Sequence, residues 1–200
     1  MSLFSKPVLT KKRRKALDSF LSNAAKALNE LKREARTQIV RDMFELMLEN
    51  VARTPIYFYP SRVLRANYYR KGNRVGVSVT QGENVSYYRV IQIGGLRRVE
   101  RKSYINLPAG HVFSGDKMTL DGILTLCHEY AHFPKPKLLE FAEKHAMDAG
   151  TAEELLADVL SAKLAVKMGF PKREVMAHFA GREIVYGAIP FRDFILRAIQ

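Results

Sequence analysis

The sequence has one cysteine in 200 residues, no glycine before Gly72 and no apolar stretch long enough to span a bilayer. Cys127 alone cannot close an internal disulfide, so a disulfide-stapled framework is excluded. A membrane-spanning helix needs about 20 consecutive, mostly apolar residues. The basic run Lys11-Lys12-Arg13-Arg14-Lys15 leads into an amphipathic pattern rather than an apolar core with a cleavage site, unlike a secretory signal. Together these absences predict an intracellular, cytoplasmic protein. Acidic residues are also scarce, 20 against 33 basic ones, for a net charge of +13. Apolar residues at 47% and charged residues at 26% are ordinary globular proportions, which excludes disorder, collagen and coiled-coil extremes for most of the chain. The length fits one domain, or one domain with a substantial extension.

The distribution of glycine and charge divides the chain. Eight of the 12 glycines fall between Gly72 and Gly122. Residues 1–55 carry 12 basic and 6 acidic side chains, residues 56–110 carry 10 and 2, and residues 111–200 carry 11 and 12. The basic excess therefore precedes the last 90 residues. Residues 9–52 read as helix, because Leu17, Leu21, Ala24, Leu28, Leu31, Ala35 and Ile39 recur at spacings of three and four. That span is long for one helix, and a break near Thr37 is expected before Pro55 ends the pattern. Residues 56–108 read as strands: Val75, Val77 and Val79 alternate, as do Tyr87, Arg89, Ile91 and Ile93, with glycine-containing turns between the runs. A three- or four-stranded antiparallel sheet is expected, its last strand near Val99–Leu107. From Thr119 onward the pattern is helical, with helices near 119–133, 137–147 and 152–168 and two more after Pro171 and Pro190. The predicted fold is α+β: a long N-terminal helix, a small antiparallel sheet, then the helix near 119–133 and a helical C-terminal half. The domains expected are a helical extension over 1–55 and a second domain over 56–200.

Residues 128–132 read His128-Glu129-Tyr130-Ala131-His132, an H-E-x-x-H. Residues four apart share one face of a helix, so both imidazoles can reach one metal ion. Glu129, about a third of a turn away, can reach a water at that ion without binding it. Leu120, Ile123, Leu124, Cys127 and Ala131 form the expected buried stripe of this helix, with Cys127 a small buried thiol. A catalytic zinc takes three protein ligands and keeps a fourth position open. An H-x-x-G-x-x-H continuation is absent, since Lys135 and Leu138 stand where its glycine and third histidine would be. The next acidic segment is Thr151-x-Glu153-Glu154, followed by Asp158. Glu154 and Asp158 lie four apart on a predicted helix, so one carboxylate can bind metal and the other can accept a hydrogen bond from a ligand imidazole. Thr151-x-x-Glu154 also reads as a capping box, which needs no metal. Beside the upstream motif the ligand reading prevails, with Glu153 in reserve should the helix phase differ by one residue.

His128-Glu129-x-x-His132 followed by Glu154-x-x-x-Asp158 resembles the gluzincin class of zinc metallopeptidases. The second segment is similar to the corresponding helix of minigluzincins and CAAX-type proteases. The resemblance covers about residues 99–170. It implies a zincin-like fold with Zn²⁺ on His128, His132 and Glu154. It also implies Glu129 as general base and Asp158 supporting His128. The partner would be a peptide or protein substrate, held in extended form on an edge strand at about Val99–Leu107. His178, Arg182 and Tyr186, at i, i+4 and i+8 of a later predicted helix, are candidate donors to the transition state. His111 and His145 have no partner at ligand spacing. Tyrosines and arginines interleave over residues 57–101, which, with the basic N-terminal run Lys11–Lys15 as a second contact, also suggests binding of nucleic acid or another polyanion. The alternative function is therefore a basic nucleic-acid-binding or assembly protein whose metal site is structural or vestigial.

Overall fold

A computed structural model describes residues 9–61, 65–71, 74–80, 82–93, 96–132 and 148–179. It is a mixed α+β protein in which helix outweighs strand among these residues. None of the described helices is long and apolar enough to cross a membrane.

Residues 11–53 form two helices, α1 (Lys11–Glu34) and α2 (Gln38–Arg53), as the expected break requires. Thr10 and Thr37 cap them, each accepting a hydrogen bond from the backbone N–H three residues on. Such a cap is worth about 1 kcal/mol, enough to place a helix start where the apolar stripe alone does not. The stripe of α1 buries Leu17, Phe20, Ala24, Ala27, Leu28 and Leu31. These pack in one cluster with Phe44 and Met47 of α2 and with Leu126, Cys127, Tyr130, Leu160 and Leu164 from later helices.

The strands are β1 (Ile56–Tyr59), β2 (Arg65–Lys71), β3 (Arg74–Thr80), β4 (Glu83–Ile93) and β5 (Leu96–Pro108). They do not make one antiparallel sheet. β2 and β3 pair as a separate hairpin, while the main sheet has the order β1-β5-β4 with β1 parallel to β5. The segment expected to be an edge strand is thus the middle one: β5 pairs with β4 from Leu96 to Asn106 and with β1 from Ile105 to Pro108. The parallel partner comes from far back in the chain, a pairing that local alternation does not encode. Among the described residues β4 is an edge strand, and its start lies against the helix of the H-E-x-x-H segment.

A short helix α3 (Ala109–Val112) and a two-residue hairpin, β6 (Phe113–Ser114) and β7 (Lys117–Met118), lead into α4 (Leu120–Tyr130). α4 is not the half-exposed helix expected: every residue from Gly122 to Tyr130 is buried. Gly122 permits this, since a Cβ there would lie 2.4 Å from the Val112 backbone of α3. The next described helix, α5 (Ala149–Lys167), packs along α4, and α6 (Lys172–Phe179) packs on α5. The helix expected at 137–147 and that after Pro190 lie outside the described residues. Gly169, at φ +95°, ends α5 as its position after Lys167 predicts.

Candidate metal centre

Two buried helices bring the ligand-type side chains together. The side-chain hydroxyl of Thr119 accepts from the Gly122 N–H and starts α4, and the last turn of α4 carries His128 and Glu129. α2 holds the other end of α4: Asn50 Nδ2 donates to the carbonyl of Tyr130 at 2.8 Å and reaches that of His132 at 3.5 Å. The start of α5 differs from the capping box expected. Asp148 is the N-cap, and Thr151 donates both its backbone N–H and its hydroxyl to the Asp148 carboxylate. An aspartate three residues before Thr151 takes the capping role, which leaves Glu154 free to face α4.

His128 Nδ1 lies 2.7 Å from Asp158 Oδ1, and His132 Nδ1 lies 3.0 Å from Glu153 Oε1. An ionised carboxylate only accepts, so each Nδ1 carries a proton and each Nε2 is turned to the other side of its ring. Both Nε2 atoms approach one carboxylate: His128 Nε2 is 3.2 Å from Glu154 Oε2, and His132 Nε2 is 4.0 Å from Glu154 Oε1. Glu129 Oε2 stands 3.9 Å from His132 Nε2. The two imidazole rings meet nearly edge to face, 4.9 Å between centroids. His128, Glu129 and His132 offer ligand atoms that all lie within 4.8 Å of one another, so this buried group could hold a metal ion. Glu153, the reserve ligand of the sequence reading, instead orients His132.

The charges are consistent with one compact acidic pocket around two imidazoles. Burial alone lowers the pKa of His128. The hydrogen bonds to Asp158 and Glu154, with the charges of Asp158 and Glu129, outweigh it and push the pKa up to about 10. Burial raises the Glu129 carboxyl, opposed by the two imidazoles and by a hydrogen bond from the Asn84 backbone, and reinforced by the charge of Glu154. The hydrogen bond to His128 holds Glu154 below the usual carboxylate range, against a smaller effect of burial. Among the described residues the pocket is open on one side, where the Glu154 side chain is 45% exposed, against 7% for Glu129.

β4 forms the wall beside Glu129. Asn84 Nδ2 donates to the Glu129 carbonyl at 2.7 Å. Gly82 comes so close that a Cβ there would lie 2.6 Å from Glu129 Oε1 and 2.6 Å from Thr125 Cγ2. Sequence reasoning missed Asn50, Gly82 and Asn84, because each works by touching α4, far away in the chain.

The remaining candidates sit elsewhere. His178 Nδ1 is 2.7 Å from Asp121 Oδ1 in the first turn of α4, about 10 Å of helix from His128. Arg182, Tyr186 and His145 lie outside the described residues. His111 Nε2 is 2.9 Å from Thr125 Oγ1. Cys127 is fully buried in the core, and burial pushes its thiol pKa up, so it is a packing residue. Searches against family models, curated proteins and solved structures return no match to this chain.

Proposed function

We propose that this chain is a gluzincin-type zinc metallopeptidase, with His128, His132 and Glu154 as metal ligands and Glu129 as general base. The observation that carries the reading is the convergence of two Nε2 atoms and the Glu154 carboxylate, with both Nδ1 atoms tied back to carboxylates of α5. Donors about 2.0–2.2 Å from a tetrahedral zinc stand about 3.3 Å apart. The His128–Glu154 distance of 3.2 Å matches that separation, and the His132–Glu154 distance of 4.0 Å exceeds it by a side-chain adjustment. Mixed nitrogen and oxygen donors suit zinc, and three protein ligands with a solvent-facing side suit a catalytic site rather than a closed structural one.

Zinc held there would act as a Lewis acid, activating water and polarising the scissile carbonyl. The protein supplies the rest. Asp158 and Glu153 fix the tautomer and tilt of the two imidazoles. Glu129, raised by burial towards neutrality, takes the proton of the attacking water and passes it to the leaving amine. The Asn84 bond and the absence of a side chain at Gly82 set the position of Glu129. The outer edge of β4, unpaired by any other strand among the described residues, offers backbone groups along which an extended peptide can add as a further strand. The edge strand β4 beside the helix that carries His128 and Glu129 supports the reading of a zincin-like fold.

Metal analysis of protein purified without added zinc tests it, together with hydrolysis of an unfolded protein substrate. Zinc near one equivalent is expected, lost in Glu154→Gln. Glu129→Gln should keep the metal and lower turnover by about 10²- to 10⁴-fold. Absence of metal, with no uptake on titration, would overturn the proposal.

A further inference from the structure

The two imidazoles of the candidate metal centre are held in different ways. His128 lies within α4, and its ring is tied to Asp158, whose side chain is 1% exposed. His132 lies beyond α4. The helix ends at Tyr130, Ala131 is its C-cap at φ −88° and ψ 0°, and the Ala131 N–H closes a tight last turn on the His128 carbonyl at 2.9 Å. Helical spacing alone therefore does not place His132, although the H-E-x-x-H pattern assumes that it does. Its ring is tied to Glu153, whose side chain is 30% exposed, and its Nε2 stands 4.0 Å from Glu154, against 3.2 Å for His128.

The last carbonyls of a helix have no intrahelical donor. Asn50 supplies one here. Its Nδ2 donates to the Tyr130 carbonyl at 2.8 Å and lies 3.5 Å from that of His132, so one amide spans the two residues that flank the C-cap. An amide nitrogen carries two N–H groups, which suits two carbonyls. α2 in turn places Asn50, which follows Met43 and Met47 at spacings of four and three along the helix. Both methionines are buried in the core that also holds Tyr130 and Ala131.

We propose that Asn50 is a positioning residue for His132: it fixes the backbone that carries this imidazole, so that α2 is part of the metal centre. This role rests on the reading of His132 as a metal ligand. The Glu153 carboxylate at Nδ1 fixes the tilt and tautomer of the ring, but Nε2 also moves with the Cα that carries it. Glu153 holds the ring and Asn50 holds the backbone.

The test uses the full-length protein, with zinc affinity read by competition against a chromophoric chelator well below the melting temperature. Asn50→Leu removes both N–H groups at nearly the same volume. It should weaken zinc binding about 10-fold, the low end for a group that orients a ligand without touching the metal. Asn50→Gln keeps the amide and should recover part of that loss. Leu46→Ala trims a partly buried side chain of the same helix, so it should lower the melting temperature and leave zinc affinity at the parental value. Parental affinity in Asn50→Leu would overturn the role of Asn50 and leave the metal site standing. So would an equal loss of affinity in Leu46→Ala, since loosening of α2 would then explain both. No zinc uptake by the parent protein would overturn the metal reading and this role with it. If Asn50→Leu fails to fold, Asn50→Ser decides: its shorter hydroxyl cannot span both carbonyls, and the same loss is expected.

Discussion

Two histidine–aspartate pairs of equal length stand at opposite ends of α4. His128 Nδ1 and His178 Nδ1 each lie 2.7 Å from an aspartate oxygen, and each histidine side chain is 11% exposed. The aspartates differ: the Asp158 side chain is 1% exposed and that of Asp121 is 62% exposed. In water the attraction of such a pair is largely offset by hydration and side-chain entropy, whereas in a dry interior breaking it strands a charge. The surroundings differ as well. Beyond His128 stand Glu154, Glu129 and a second imidazole, which is what makes that end of α4 a group able to hold a metal. The length of a hydrogen bond thus says little about its role, and the burial of the acceptor and the company around Nε2 say much.

The sharpest way to break this comparison is to remove the two aspartates in turn. Asp158→Ala should destabilise the metal-free protein by about 3–5 kcal/mol, measured by urea unfolding with a chelator present. It should also weaken zinc affinity about 10- to 100-fold, because His128 loses the acceptor that fixes its tautomer. Equal effects from Asp121→Ala would refute the distinction.

Gly82→Ala probes the wall of the same site from outside the helices. The new Cβ would meet Glu129 Oε1 and Thr125 Cγ2, both at 2.6 Å, so β4 or the Glu129 side chain must shift. A cost of about 1–3 kcal/mol is expected from such overpacking. Turnover should fall while bound metal stays at the parental level, because on the proposed reading the displaced group is the base and not a ligand. Loss of metal with turnover per bound metal unchanged would contradict this.

Much of the helical part of this arrangement is legible in the sequence. The break at Thr37, the start of α4 at Thr119 and the end of α5 before Gly169 follow from caps and apolar spacing, because these signals act within a few residues. That a carboxylate of the later helix meets a ligand imidazole is legible in helical spacing, and the choice of Asp158 for His128 is what the resemblance implies. The start of α5 is less so: Thr151-x-x-Glu154 fits a capping box, but Asp148 accepts the same amide. Sheet order is not legible, since β1 meets β5 across about 50 residues and no local pattern chooses that partner. Nor is the part played by α1 and α2. Set apart on sequence as an extension, they share the core of α4 and α5, and Asn50 reaches the carbonyls at the end of the site helix.

Titration sharpens the same contrast. The pKa of His128 in the metal-free protein is raised from 6.5 to about 10, so the folded state holds its proton more tightly than the unfolded chain. The stability this contributes is complete below about pH 6.5 and is lost as pH rises through about 10. Metal uptake runs the other way, because the proton on His128 Nε2 must leave first. Apparent zinc affinity should rise by up to about tenfold per pH unit between pH 6 and 9. Melting curves at pH 6.5 and 9.5 should therefore shift in opposite directions with and without a chelator. Parallel shifts would mean that His128 does not carry the displaced proton.

The smallest effect is expected at the exposed pair. Asp121→Asn removes a carboxylate that is mostly in water, so the loss should stay within about 1 kcal/mol. Part of that loss comes from the first turn of α4, where a negative charge faces the positive end of the helix dipole. Metal content and kcat should match the parent, because the pair ties α6 to α4 at a point two turns from the imidazoles that converge on Glu154. This variant also bears on the sequence-based expectation that His178 serves the transition state. If kcat falls while KM, metal content and melting temperature hold, Asp121 orients a histidine that takes part in the reaction, and the two ends of α4 are parts of one site. If only the melting temperature moves, the pair at the start of α4 is a fastening between helices and the chemistry stays with His128, Glu129 and His132.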